Sequence, residues 1–310
     1  MGVIERYRDH LPVGPSTPLL TLGEGTTPLL HAPTLSERYG VDLRLKCETL
    51  NPTGSFKDRG MVVAVAKALE DGVSAVVCAS TGNTAASAAA YAARAGLKAL
   101  ILQPAGANTK AKQAQARIVG AEVRDVQGTF DDALDECRAV AASGTHAVVN
   151  SLNPYRIEGQ KTAAFEIVEE LGRVPDVVAL PYGGGGNLRS YLKGFTEFGQ
   201  GEPLLVAGES DERRQTAASA IRITQPAHAE AVAAAVRKGK VRVVSVSDAE
   251  IAEAWLELAR LEGVFCELSS AAGLAALKRS ELLPGSLVVC VLTGHGLKDT
   301  GAVDLLAETP

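Results

Sequence analysis

From about residue 75 onward, short runs of aliphatic and β-branched residues alternate with longer alanine-rich stretches in which apolar positions recur at helical spacing. The apolar runs are AVVCAS (75–80), KALILQ (98–103), AEVRDV (121–126), HAVVNS (146–151), DVVALP (176–181), PLLVAGE (203–209) and SLVVCVL (286–292). Between them the spacing predicts helices over 82–95, 108–119, 129–143, 158–172, 187–198, 248–262 and 270–279. A polar segment, NPTGSFKDRG (51–60), leads into the amphipathic run MVVAVAKALE, which predicts one more helix. Nearly unbroken apolar strands joined by helices belong to parallel sheets covered on both faces, so the fold class expected is α/β. Over 210–245 strand and helix signals are mixed, and no internal repeat or low-complexity linker interrupts the alternation.

Parallel sheets bind ligands beyond the carboxyl ends of their strands. Three polar or glycine-rich segments follow strands directly: STGNTAAS (80–87), YGGGGNL (182–188) and TGHGLKDT (293–300). In YGGGGNL, Gly183, Gly184, Gly185 and Gly186 end a strand and open a helix at Asn187. Bare backbone N–H groups and a helix N-terminus then face outward together, which makes a phosphate cradle. A plain tight turn would also use glycine. A dinucleotide site is a third reading: Leu188 stands where G-x-G-x-x-G needs its last glycine, although Glu209 ends the next strand where a ribose-binding acid would sit.

In STGNTAAS, Ser80, Thr81, Asn83 and Thr84 surround Gly82 with hydroxyl, amide and backbone donors, a suitable clamp for a carboxylate. Helix capping alone would employ one or two of them. In SFKDRG, Lys57 lies between Phe56 and the pair Asp58 and Arg59. A lysine at a helix start is ordinarily solvated, whereas one desolvated beside an aromatic ring has a lowered pKa and can form a Schiff base with a carbonyl. An anion cradle, a carboxylate clamp and a Schiff-base lysine together describe pyridoxal phosphate handling an amino acid.

Composition narrows the picture further. The 310 residues, 46% of them hydrophobic, suit two domains with a core in each. The 31 glycines exceed the usual share, which is roughly 7%. With 31 Lys+Arg against 36 Asp+Glu the net charge is -5 and no long basic block occurs, so no nucleic-acid partner is expected. No apolar stretch approaches the roughly 18 residues of a membrane helix, and the start, MGVIERYRDH, has no apolar core. A cytoplasmic protein with no membrane partner is expected. The five cysteines, Cys47, Cys78, Cys137, Cys266 and Cys290, are far apart and form no Cys-x-x-Cys pair, so reduced, buried thiols are expected, with no disulfide framework and no metal.

Lys57 within NPTGSFKDRG, Asn83 within ASTGNTAAS, the loop from Gly183 to Asn187, and Thr293 within TGHGLKD resemble the threonine synthase branch of the tryptophan synthase β type (fold type II) pyridoxal phosphate enzymes. LGEGTTPLL (22–30), QGTFDDAL (127–134), NSLNPYRIEGQKTAAFE (150–166) and SSAAGLAALK (269–278) resemble that family in the same order. The resemblance implies two lobes, each a twisted, largely parallel sheet covered by helices, with the cofactor in the cleft between them. It implies a large cofactor-binding domain of 1–50 and 147–310 and a small mobile domain of 51–146 inserted in it. Lys57 would carry the cofactor as a Schiff base and shuttle protons, Asn83 would bond its phenolic oxygen, Gly183 to Asn187 its phosphate, and Thr293 its pyridine nitrogen. The implied substrate is O-phospho-L-homoserine, with Ser80, Thr81, Asn83 and Thr84 on its carboxylate and Asn150, Ser151 and Arg156 on its phosphate. The implied reaction is γ-elimination of phosphate followed by addition of water at the β carbon, giving L-threonine, and the implied assembly is a homodimer. Outside that resemblance Arg156 would read as an exposed arginine opening a helix after Pro154.

Several positions depart from the family pattern. Gly184 and Gly185 replace the usual asparagine and alanine and would leave a barer, more flexible loop with weaker hold on the cofactor. Leu268 replaces a common proline, the last motif ends KDT rather than KDP, and 210–245 is shorter than usual. A specialised enzyme on a phosphonate or another γ-substituted amino acid is therefore the main alternative; beside it stand a serine or threonine dehydratase, a non-catalytic amino-acid-binding homologue, and a nucleotide-binding oxidoreductase for which YGGGGNL is the sole support.

Overall fold

The structure, a computed structural model, describes residues 1–106 and 110–303, with the side chains of 110–112 outside it. Its elements are α1 (Val3–Arg6), β1 (Leu29–His31), α2 (Pro33–Tyr39), β2 (Asp42–Cys47), α3 (Lys57–Glu70), β3 (Ala75–Ala79), α4 (Asn83–Ala95), β4 (Lys98–Pro104), α5 (Lys110–Ile118), β5 (Glu122–Val126), α6 (Phe130–Ala141), β6 (His146–Val148), α7 (Pro154–Leu171), β7 (Val177–Pro181), α8 (Gly186–Phe198), β8 (Leu204–Ser210), α9 (Ala229–Arg237), β9 (Val241–Val246), α10 (Asp248–Glu262), α11 (Ala272–Lys278) and β10 (Leu287–Leu292). Every apolar run named above contains a strand. The predicted helices recur within a few residues, except that the first two positions of 108–119 lie outside the described residues. α7 starts at Pro154 rather than 158 because proline suits a first helical turn and Asn153 Oδ1 accepts the Tyr155 N–H at 3.0 Å. The mixed stretch 210–245 resolves into α9 and most of β9.

The chain divides into two compact units, one of Met1–Gly25 with Asn51–Thr162, the other of Thr26–Leu50 with Ala163–Pro310. This differs from the expected partition at two places, since residues 1–25 and 147–162 pack with the inserted stretch. The reasons are local. Glu24, fully buried, accepts hydrogen bonds from the Val3 N–H at 3.0 Å and the Tyr91 hydroxyl at 2.9 Å, which ties the amino-terminal arm to α4. The first half of α7 is tied to α3 by main-chain contact, described below.

In the first unit the strand order is β5-β4-β3-β6 and every pairing is parallel. In the second the order is β1-β2-β10-β7-β8-β9, parallel apart from the short edge pair β1 and β2. Alternate residues of its central strands feed two apolar layers: Ala179, Val206, Cys290 and Leu292 on one face, Val178, Leu180, Leu205 and Val291 on the other. Both orders contain one break. Chain order runs outward from β3 through β4 to β5 and returns to place β6 on the other side; likewise it runs from β7 through β8 to β9, with β10 on the other side. At such breaks the covering helices diverge and leave room for a ligand.

α3 and α7 approach closely enough that their glycines admit no side chain. A Cβ on Gly60 would lie 2.4 Å from the Arg156 carbonyl oxygen, and one on Gly159 would lie 2.0 Å from that of Arg59. Arg59, itself fully buried, donates from Nη1 to Thr162 Oγ1 at 3.3 Å across the same contact. Gly159→Ala is therefore expected to lower unfolding stability by about 1–3 kcal/mol through overpacking, read as the midpoint of urea denaturation. Gly14→Ala, where the nearest atom is 3.9 Å from the new Cβ, is expected to stay within about 0.5 kcal/mol of the parent.

Candidate active site

In the first unit Lys57 is the first residue of α3, half-buried, with Nζ 4.3 Å from the centre of the Phe56 ring. The lysine thus stands beside the aromatic ring, half-buried rather than fully desolvated. Asp58 fixes it. This fully buried carboxylate accepts from the Thr53 N–H at 2.7 Å, from Thr53 Oγ1 at 2.6 Å and from Ser87 Oγ at 2.6 Å, so the loop before the lysine and the helix α4 share one anchor.

The clamp segment lies at the carboxyl end of β3. Gly82 is the N-cap of α4 and no side chain caps it, so the capping reading of Ser80, Thr81, Asn83 and Thr84 does not hold. Ser80 Oγ instead accepts the Gly82 N–H at 3.2 Å and shapes the turn. Ser80 and Asn83 are buried, Thr81 and Thr84 half-buried.

Asn150 follows β6, the strand across the break from β3. Its carboxamide accepts from the Ala79 N–H at 3.1 Å and donates to the Ala79 carbonyl at 2.9 Å. It thereby locks the end of β3 to the end of β6, and one N–H of Nδ2 remains for a ligand. Ser151 is exposed. Arg156 is 1% exposed, which overturns its reading as a surface arginine. Only Nη1 has a protein partner, the Val149 carbonyl at 3.4 Å, while Nε and Nη2 are buried without one. Burial pulls its pKa down to about 10, so it keeps its charge at neutral pH. A buried cation with two unpaired donors is costly unless an anion meets it, and a phosphate offers the oxygens that a guanidinium fork matches.

In the second unit β7 and β10 are adjacent and parallel, so the segments that follow them leave the same edge of the sheet. After β7 comes the loop Gly183, Gly184, Gly185, Gly186, which opens α8 with Gly185 as its N-cap and no side-chain cap. Asn187 is buried and its Nδ2 has no partner. Uncapped backbone N–H groups beside an unpaired amide donor fit a phosphate. After β10 comes Thr293, 8% exposed, with Oγ1 3.0 Å from Ser270 Oγ, which also accepts the Gly294 N–H at 3.0 Å.

Sequence reasoning missed the groups that hold the glycine loop. The Arg213 guanidinium stacks 4.6 Å from the Tyr182 ring centre and donates to the Gly183 carbonyl at 3.4 Å, and the His228 N–H donates to the Gly184 carbonyl at 3.1 Å. These grip the backbone from the 210–245 stretch, and no side-chain pattern announces such contacts. Arg213 also pairs with Glu209, whose other oxygen accepts from Ser245 Oγ at 3.1 Å. The acid a dinucleotide ribose would need is thus engaged within the protein. On one side the loop is closely packed: a Cβ on Gly185 would lie 3.1 Å from His228 Cβ, with φ at +83°. All five cysteines are free and buried, as expected, and burial pushes the Cys78 thiol up to about 12. Among the described residues no cluster of His, Cys, Asp or Glu could hold a metal ion.

A model of the pyridoxal-phosphate dependent enzyme family matches residues 20–294. The chain is 47% identical over 317 residues to a threonine synthase of Halalkalibacterium halodurans, covering 96% of this chain and 90% of the relative. It is 48% identical to that of Mycobacterium bovis, covering 100% and 92%, and 42% identical to that of Methanocaldococcus jannaschii, covering 98% and 83%. Among solved structures, maize serine racemase aligns with a TM-score of 0.78 at 22% identity over 91% of this chain and 92% of that one. A fungal L-serine ammonia-lyase from Rhizomucor miehei aligns at 0.79 and 22% identity over 92% and 98%. At such identity these structures show the fold alone.

Two substitutions separate the glycines of the loop. Gly185→Ala is expected to weaken pyridoxal phosphate uptake on the order of tenfold, since a side chain at positive φ costs roughly 1–2 kcal/mol and displaces the N-cap. Gly184→Ala, whose Cβ would meet only Ile223 Cδ1 at 3.5 Å, is expected to leave uptake within about twofold of the parent. Absorbance titration of the cofactor into apoprotein reads both.

Proposed function

The chain belongs to the pyridoxal-phosphate dependent enzyme family, and we infer from that premise that it is a threonine synthase, converting O-phospho-L-homoserine and water to L-threonine and phosphate by γ-elimination and β-addition. The observation that carries the reading is Arg156, a buried guanidinium with two unpaired donors in the unit that also holds Lys57 and the clamp segment. A substrate with a carboxylate at one end and a phosphate at the other supplies both anions. Serine or threonine, as dehydratase substrates, would leave the Arg156 donors unmet.

The roles follow from what each group offers. When bound, pyridoxal phosphate supplies an electron sink for negative charge that develops at the substrate's carbons. Gly183, Gly184, Gly185, Gly186 and Asn187 would hold its phosphate by backbone and amide N–H groups, and Asn83 its phenolic oxygen. Thr293, whose Oγ1 lies 3.0 Å from Ser270 Oγ, would offer the pyridine nitrogen a neutral hydroxyl, which does not enforce a protonated ring. Lys57 would bind the cofactor covalently and, once released, move protons between the α, β and γ carbons. Ser80, Thr81, Asn83 and Thr84 would orient the carboxylate. Asn150, Ser151 and Arg156 would bind the phosphate, with Arg156 stabilising charge on the leaving group as its bond to the γ carbon breaks. A homodimer and a cytoplasmic location belong to the same reading by analogy of fold; among the described residues no helix is long and apolar enough to cross a membrane.

The decisive assay offers O-phospho-L-homoserine, O-phosphoserine, threonine and serine in turn and measures phosphate, threonine and ammonia. Phosphate and threonine in equal amounts from the first are expected, and Lys57→Ala should reduce that rate by about 10²–10⁴-fold or more. Faster ammonia release from serine or threonine would make the protein a dehydratase instead. Arg156→Leu is expected to raise KM for phosphohomoserine about 10- to 100-fold, from loss of charged hydrogen bonds worth roughly 1.5–3 kcal/mol. Its urea midpoint should hold or rise, because two buried donors without partners are gone.

A further inference from the structure

Thr293 leaves the second unit's sheet at the edge from which the glycine loop also leaves, since β10 and β7 are adjacent and parallel. The segment 265–270 lies against 293–296 and holds its backbone. The Glu267 N–H donates to the Gly294 carbonyl at 2.8 Å, and the Gly296 N–H donates to the Phe265 carbonyl at 3.3 Å. A Cβ on Gly294 would overlap the Glu267 carboxylate, so the contact tolerates no side chain there. Ser270 is fully buried in this contact. Its Oγ lies 3.0 Å from the Gly294 nitrogen, 3.0 Å from Thr293 Oγ1 and 3.4 Å from the Gly294 carbonyl oxygen.

These contacts fix which way the hydrogens point. An amide N–H can only donate, so Gly294 uses the Ser270 oxygen as its acceptor, and the single Ser270 hydrogen has two places to go. O–H···O bonds are normally about 2.5–3.0 Å long, which admits Thr293 and not the Gly294 carbonyl. That carbonyl is also already engaged by Glu267. Ser270 therefore donates to Thr293, and the Thr293 hydrogen is left for another acceptor. Among the described residues Ser270 is the one protein partner of the Thr293 hydroxyl. Thr293 is only 8% exposed, so leaving its hydrogen unmet would cost stability. We propose that Ser270 is a positioning residue that fixes Thr293 as a hydrogen-bond donor to the cofactor's pyridine nitrogen and so keeps that nitrogen unprotonated. The proposal rests on the role given to Thr293 above and adds the residue that decides its direction. With the opposite polarity Thr293 would donate to Ser270 and offer the ring only lone pairs, which suit a protonated nitrogen. The direction of one hydrogen thus sets how strong an electron sink the cofactor is.

The test loads the parent and Ser270→Ala with pyridoxal phosphate isotopically labelled at the ring nitrogen. Magnetic resonance then reads that nitrogen and the cofactor's phosphorus, and absorbance titration reads the dissociation constant. The parent nitrogen is expected where a neutral pyridine accepting a hydrogen bond resonates, between the unbonded and protonated extremes. In Ser270→Ala the resonance should leave that position for either extreme, because Thr293 keeps its hydroxyl but loses the partner that directs it. The phosphorus resonance should stay in place, and the dissociation constant should rise about threefold to tenfold from loss of a neutral hydrogen bond. A protonated nitrogen in the parent would overturn the proposal, and it does so even where Ser270→Ala fails to fold. A parent nitrogen with no hydrogen bond also overturns it, by removing Thr293 from the ring. So does a Ser270→Ala nitrogen resonance identical to the parent's. A phosphorus resonance that moves together with the nitrogen would make the role of Ser270 structural and sink the proposal. None of these readouts uses a substrate, so inactivity on phosphohomoserine removes the threonine synthase reading while the nitrogen resonance still decides on Ser270.

Discussion

Parallel strands of one sheet can be linked only by a return through the layer that covers it, so all strands end at one edge and the returning helices begin there. In each unit the candidate segments that follow strands depend on that constraint. In the first unit the clamp follows β3 and Asn150 follows β6, the strand across the break in chain order. In the second the glycine loop follows β7 and Thr293 follows β10, again across the break. The two helices that begin there, α4 and α8, start on glycine N-caps without side-chain caps. Their first N–H groups are left for a ligand, and the helix dipole favours an anion.

Among the described residues, buried polar side chains divide into those satisfied within the protein and those left with atoms unmet. Lys46 and Glu166 are as deeply buried as Arg156, yet they are satisfied: Lys46 Nζ donates to Glu166 Oε2 at 2.8 Å and to the Thr27 carbonyl at 2.7 Å, and Glu166 Oε1 accepts the Thr26 N–H at 2.7 Å. That cluster is structural. Arg156, Asn187 and Ser55 are buried with donors unmet. Within each unit other residues hold neighbours in place: in the first, Asp58 the lysine loop and Asn150 the end of β3; in the second, Ser270 holds Thr293, and Arg213 and His228 hold the glycine loop. Each makes bonds that fix the direction of a neighbour.

What was legible along the chain follows from the same physics. Strands such as β3, β7 and β10 are buried at every position, and burial on both faces writes an unbroken apolar run into the sequence. β2 was not legible, because Asp42, Arg44 and Lys46 interrupt it, and the ion pair with Glu166 together with the Thr27 carbonyl accounts for a fully buried lysine in a strand next to the sheet edge. The 210–245 stretch stayed ambiguous because Arg213 and His228 act on main-chain carbonyls, which any loop presents.

By itself the sequence determined the parallel α/β class, the four segments that follow strands or open helices, and the residue types able to meet a carboxylate, a phosphate and a carbonyl carbon. These are local properties, written in periodicity, in glycine and in donor chemistry. The tertiary structure decided which of those groups are left unmet, and that depends on neighbours distant in sequence. It buried Arg156 instead of exposing it, since Gly60 and Gly159 let two helix backbones touch. It assigned residues 1–25 and 147–162 to the unit of the inserted stretch, through Glu24 and that same helix contact. Which donors remain unpaired is a property of the whole packing, because one residue far along the chain, such as Glu24 for the Tyr91 hydroxyl, is enough to settle it.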